Sequence, residues 1–143
     1  MDKLPHNRTW YTKKLAEKAK KRVKLRDDYT CQRCGKQCSG SDCHASHVLN
    51  VGTHKNMELD VNNMKVLCSY CHLHWWHKDV LHATEWFKDK FPDRYEYLMS
   101  EAKKKYKIPT PTLAELHENT KADGSDYYDQ YLRIIKWGGN IYG

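Results

Sequence analysis

Between Val66 and Asp79 the chain reads VLCSYCHLHWWHKD, with two cysteines, three histidines and two tryptophans in fourteen residues. Thiolates and imidazoles ligate transition metals, and imidazole also takes up a proton near neutral pH. Cys68 and Cys71 repeat a spacing already present at Cys31 and Cys34, so the pattern is C-x2-C-x33-C-x2-C. Two thiols three residues apart on a tight turn supply half of a tetrahedral Zn²⁺ site, and a second such turn completes it. Cys31, Cys34, Cys68 and Cys71 are therefore expected to hold one structural zinc, with Gly35 following the first pair as in a metal-binding knuckle. Cys38 and Cys43 fit no such spacing and read as buried thiols or as alternative ligands.

The 33 residues between the pairs are too many for a minimal ribbon and must fold into something. They contain His47 and, sixteen residues on, Asn63; His72 follows nine later, directly after the last zinc cysteine. The stretches RDDYTCQRCG, ASHV and NNMKVLCSYCH together resemble the HNH nuclease family in its four-cysteine, zinc-stapled form. The resemblance runs from Arg26 to about Lys78, and MELDVNNMKVLCSYCHLHWWHK is also similar to phage members near the NinG-type recombination nucleases. It implies an α+β fold, a ββα-metal (His-Me finger) core with flanking α-helices, and hydrolysis of phosphodiester bonds in DNA. It implies His47 as general base, Asn63 as the residue that orients the base or shapes the metal site, and His72 as ligand of a separate hydrolytic ion (Mg²⁺, Mn²⁺ or another divalent cation). The chemistry calls for the same groups, because a base must activate water and a cation must neutralise charge on the phosphorane and the leaving oxygen.

Many family members carry Asp, Glu or His directly before the base; here that residue is Ser46. His44 is an alternative ligand, although strand alternation puts it on the face opposite His47. Some members have a second helix ligand four residues after the first, a position held here by Trp76. His77, five residues along, would sit roughly 140° round an ideal helix and reaches the ion only if the first turn is irregular; His74 is the weaker candidate. His6, His54, His82 and His117 have no motif around them and read as structural or surface residues, and Trp75, Trp76 and Trp86 as packing residues.

These groups need a scaffold and a partner. The net charge is +7, and eight of the fourteen residues from Lys13 to Arg26 are Lys or Arg, with Glu17 alone acidic. A local basic stripe suggests a polyanion, so Lys13, Lys14, Lys20, Lys21, Arg22, Lys24 and Arg26 are expected to meet DNA phosphates; a solvated helix face is the bland alternative. The stripe lies on a helix expected over Thr9–Arg26, capped by Thr9, with Leu15, Ala19 and Val23 facing inward. Strands are expected at Ala45–Val51 and Asn63–Cys68, with a helix starting near Cys71. Further helices are expected from Val80 to Phe91 (N-cap Asp79), after Pro92 (cap Asp93, capping-box partner Glu96), from Leu113 to Thr120 and from Tyr127 to Trp137. GGNIYG at the end reads as a loose tail.

The expected organisation is a basic N-terminal helix (1–28), a zinc-stapled HNH core (29–79) and a helical C-terminal extension (80–143). No signal peptide or membrane span is expected, and reduced cysteines fit a cytoplasmic setting, in bacteria or phage-infected cells. The reading is a metal-dependent DNA endonuclease. The rivals are a nuclease for branched, Holliday-junction-like DNA, a non-catalytic zinc-dependent nucleic-acid-binding module, and an RNA-cleaving enzyme.

Overall fold

A computed structural model describes residues 3–104 and 106–137; the tail expected at GGNIYG lies outside them. The fold is α+β, and among the described residues the sheet has two strands. Helix α1 (Arg8–Arg26) is its axis. Asn7, not Thr9, caps it, accepting the Trp10 N–H, and Thr9 lies within the first turn. Tyr11, Leu15, Ala19 and Val23 recur every four residues and are all buried, because a period near 3.6 keeps them on one face.

At the end of α1 the Asp27 carboxylate accepts the Val66 N–H (2.9 Å), while Arg26 donates to the carbonyls of Val61 (2.8 Å) and Met64 (2.6 Å). The helix is thus clamped to the second strand. Asp28 and Tyr29 then take left-handed φ values of 53° and 50°, reversing the chain into the first cysteine pair.

Strand β1 (Cys43–His47) pairs antiparallel with β2 (Met64–Cys68), Cys43 facing Cys68 and His47 facing Met64. The strand expected at Ala45–Val51 thus starts two residues earlier and stops at His47, because the Asn63 side chain takes over the backbone of Leu49. The connection contains short 3₁₀ turns at Lys55–Met57 and Val61–Asn63. All of β2 is buried, since it packs against α1 and carries the helix that follows.

That helix is α2 (Ser69–Cys71), continuing without a break as a π-helical turn over His72–Trp76. Helices α3 (Val80–Lys90) and α4 (Pro92–Ala102) form a hairpin. Pro92 occupies the first turn of α4, where no N–H is needed, so Asp93 is not the cap but lies inside that turn, where its charge suits the helix dipole. Helix α5 (Thr110–Asn119) begins earlier than the expected Leu113, again with proline in its first turn. Helix α6 (Tyr127–Tyr131) runs on as a π turn over Leu132–Lys136.

Buried residues from Tyr11 to Ile135 join in one core, so the three expected segments are packed on each other. Gly124 shows how closely: at φ +74° a Cβ there would lie 2.5 Å from the Lys18 carbonyl oxygen. No helix among the described residues is long and apolar enough to cross a membrane.

Candidate metal centre and cleft

The two knuckles are brought together by the β1–β2 pairing. The Sγ atoms of Cys31, Cys34, Cys68 and Cys71 all lie within 4.8 Å of one another, and Cys34 and Cys68 are 3.9 Å apart. Four sulfurs each about 2.3 Å from one tetrahedral zinc are about 3.8 Å apart, so this set fits Zn²⁺. The turn is prepared by backbone bonds. Gly35 N–H donates to the Cys31 carbonyl, Cys31 N–H to Lys36 and Gln32 N–H to Val66, and Gly35 takes φ +79°.

Burial raises the Cys31 thiol, but backbone hydrogen bonds from Cys34, Cys68 and Arg33 outweigh it and bring it down to about 7. Arg33 also donates to Cys71 Sγ (3.6 Å) and stacks over Trp75. Asp42, which no motif singles out, ties the knuckles to each other. One of its oxygens accepts the Ser69 N–H (3.0 Å) and Oγ–H (2.6 Å), and the other pairs with Lys36 (2.8 Å). Cys38 and Cys43 stay outside the sulfur cluster; both are buried, and burial, with a hydrogen bond to Cys43, pushes the Cys38 thiol up to about 12.

One residue beyond the cysteines, a cleft of about 440 Å³ opens between the end of β1 and the π turn. Lys20, Ser46, His47, His72, Trp76 and His77 are among its walls. His47 ends β1, and its Nε2 is 3.2 Å from the Glu58 carbonyl oxygen. A carbonyl only accepts, so Nε2 carries the proton and Nδ1 is the basic nitrogen. Burial lowers the His47 pKa, and the cations of Lys20 and Lys65 add to this.

Asn63 is fully buried. Its oxygen accepts the Leu49 N–H (2.7 Å) and its amide donates to the carbonyls of Leu49 and Met57 (both 3.2 Å). It therefore braces the segment that follows His47, and touches neither His47 nor His72 by any of these bonds.

His72 and His77 meet because the turn between them is π-helical. The His77 N–H donates to the His72 carbonyl five residues back (3.2 Å), and their Nε2 atoms are 3.0 Å apart. On an ideal α-helix the two would diverge. Two ligands at right angles on one ion, with bonds of about 2.1 Å, are also about 3.0 Å apart, so the pair fits a divalent cation. Burial lowers the His72 pKa to about 4, helped by His77, His44, Lys65 and His47.

His44 is outside the cleft walls yet reaches His72, Nδ1 to Nδ1, at 2.8 Å. His74 is exposed and leans on Tyr70 instead. Ser46 is occupied: it accepts from Lys65 Nζ (3.0 Å), which also donates to the His47 carbonyl and caps the Trp76 ring. A fully buried lysine on β2 was not legible in the sequence, where Lys65 reads as the polar member of a strand.

The basic stripe on α1 divides. Lys18 is buried and donates to the carbonyls of His117 and Thr120 at the end of α5, Lys21 donates to Ala122, and Arg26 is spent on Val61 and Met64. Arg26, expected at the phosphates, is thus committed to carbonyls inside the molecule, while Lys21, also expected there, is exposed and makes a single surface contact. Lys14 is 4.0 Å from Glu17. Lys13, Lys20 and Lys24, seven and four residues apart, share another face, and Lys20 reaches the cleft.

Comparison with protein-family models, with curated proteins and with solved structures gives no match.

Proposed function

We propose that this chain is a metal-dependent endonuclease of the HNH type, with β1, β2 and the helix after them as its ββα-metal core, cutting phosphodiester bonds in DNA. The observation that carries the reading is that His47, His72 and His77 line one cleft, one residue away from a four-cysteine zinc cluster. His47 acts through Nδ1: Glu58 holds its Nε2 proton, so Nδ1 takes a proton from the attacking water. Asn63 keeps the chain after the base from shifting. His72 and His77 hold the second cation. When bound, that cation supplies charge neutralisation for the phosphorane and the leaving oxygen. Lys20 stands on the cleft wall, where a phosphate bears its negative charge, and Lys13 and Lys24 extend the track along α1. The four cysteines set the position of His72 and do no chemistry.

The test is a cleavage assay on duplex, single-stranded and four-way-junction DNA and on RNA, with Mg²⁺, Mn²⁺, Co²⁺ or Ni²⁺ and with EDTA. Metal-dependent cutting of duplex supports the reading, and cutting confined to junctions makes the protein a branched-DNA nuclease. One observation favours a non-catalytic binding module: the Ser46 hydroxyl, where many HNH enzymes carry a metal ligand, is bonded to buried Lys65. DNA binding with no cleavage under any metal decides for that module.

A further inference from the structure

Three histidines in this fold form a chain that ends on a backbone carbonyl. His44 Nε2 is 2.8 Å from the Ser41 carbonyl oxygen. Since that oxygen only accepts, Nε2 of His44 carries a proton, and the neutral ring presents a lone pair at Nδ1. That lone pair lies 2.8 Å from His72 Nδ1. Nδ1 of His72 must then be the donor, which leaves the lone pair of His72 at Nε2, where it accepts from His77 Nε2–H (3.0 Å); a cation between the rings would take the place of that proton, with His77 shifting to its Nδ1–H tautomer. His44 is not among the residues of the cleft wall, whereas His72 and His77 are. It stands behind the cleft, on β1, and sets the tautomer of the residue in front of it.

We propose that His44 is a positioning residue for the hydrolytic cation, locking His72 in its Nδ1–H tautomer so that the Nε2 atoms of His72 and His77 form a two-imidazole seat. The inference rests on the reading of the cleft as a hydrolytic metal site and deepens it in two respects. It assigns the outer support of the ligand, since metal-binding histidines are held by a partner on their other nitrogen. It also assigns the class of cation. Magnesium prefers oxygen ligands, and imidazole nitrogen favours the later divalent ions. With two neutral imidazoles and Ser46 engaged by Lys65, the seat selects Co²⁺, Ni²⁺ or Zn²⁺, with Mn²⁺ weaker and Mg²⁺ excluded.

The experiment uses the full chain loaded with one equivalent of zinc. Imidazole ¹⁵N NMR reads the tautomers directly in the wild-type protein: His72 is expected as Nδ1–H and His44 as Nε2–H. Calorimetric titration with Co²⁺ then compares wild type, His44→Ala and His44→Gln. Loss of the outer partner of a metal-binding histidine weakens binding by roughly 10–100-fold, and that is the expected result for His44→Ala, with zinc content unchanged. His44→Gln, whose amide oxygen still accepts a proton from His72, is expected to bind more tightly than His44→Ala. Mg²⁺ at equal concentration is expected to leave the Co²⁺ isotherm unaltered.

An Nε2–H tautomer at His72 in the wild type overturns the proposal even if His44→Ala does not fold. Unchanged Co²⁺ affinity in folded His44→Ala, or no Co²⁺ binding at all, overturns it too, and competition by Mg²⁺ overturns the metal selectivity. No DNA enters these measurements. Wild-type protein that binds Co²⁺ as expected but cuts nothing refutes the nuclease and leaves the seat intact; active enzyme with His44-independent metal binding refutes the positioning role alone.

Discussion

The His47 ring is held by a single hydrogen bond to a carbonyl, and the role of base proposed for it predicts a specific kinetic pattern. His47→Ala is expected to lower the cleavage rate by roughly 10²–10⁴ while DNA affinity and zinc content stay at wild-type levels. Excess divalent metal is expected to recover part of the rate of His72→Ala, where a ligand is missing, and none of the rate of His47→Ala, where the base is missing. The base must be neutral to work. Burial and the nearby cations lower its pKa, so it stays neutral to lower pH than an ordinary histidine, and the rising limb of the pH–rate profile is expected below the usual value of about 6.5. Removing one cation with Lys20→Gln moves that limb upward; a limb that stays in place shows that Lys20 is not beside the base. Asn63 gives a different kind of prediction. In Asn63→Ala the Leu49 N–H and the carbonyls of Leu49 and Met57 lose their partner inside the protein, which costs about 2–4 kcal/mol, measured by urea unfolding. A change under about 1 kcal/mol would show that water replaces the carboxamide.

At the scale of elements, α1 separates structural from available charge. Lys13, Lys20 and Lys24 are expected to carry the salt dependence of DNA binding, with a log–log slope of about −0.9 per phosphate contact. Replacing all three by Gln flattens the slope, whereas Lys18→Met leaves it unchanged and lowers the melting temperature instead. A slope unaffected by the triple replacement makes this face solvated and no more. The helix itself was legible because Leu15, Ala19 and Val23 keep one period over several turns. The knuckles were legible because two identical cysteine spacings in one short chain seldom arise except around a shared metal. The commitment of Lys18 and Arg26 was not legible, since it depends on where α5 ends and where β2 lies, and neither contact is local. The slip of β1 has a similar cause: β-branched residues favoured Ala45–Val51, but Asn63, sixteen residues beyond His47, captures Leu49 and ends the ladder. Periodicity alone left His77 conditional on an irregular first turn. An ideal helix separates it from His72, and only a π turn, for which sequence offers no period, reunites them. Such turns recur at functional sites, and this one lies between two of the cleft's own residues.

Across the whole molecule the four-cysteine cluster sits where several constraints meet. The first cysteine pair is fastened to the end of α1 through Asp28 and Tyr29 and to β2 through Gln32, and the second pair opens α2 and so fixes His72. Asp42 bonds to Ser69 and Lys36, bridging the two knuckles near the start of β1. Strands β1 and β2 are five residues each, and a lone hairpin of that size is marginal in water. The helices supply packing, but nothing apolar stands in for the sulfur cluster, where four thiols would otherwise crowd together. Structural zinc in small domains contributes on the order of 10 kcal/mol, about as much as a domain of this size has in total. One tightly held zinc per chain is therefore expected by elemental analysis, and Cys68→Ser is expected to lose it together with the cooperative unfolding transition. The alternative outcome is specific. If Cys68→Ser keeps its melting temperature and loses only cleavage, the cysteines belong to the chemistry and not to the scaffold, and the division of labour between Cys71 and its neighbour His72 is wrong. Cys38→Ser is the control, because its thiol lies outside the cluster; its zinc content is expected to equal that of the wild type.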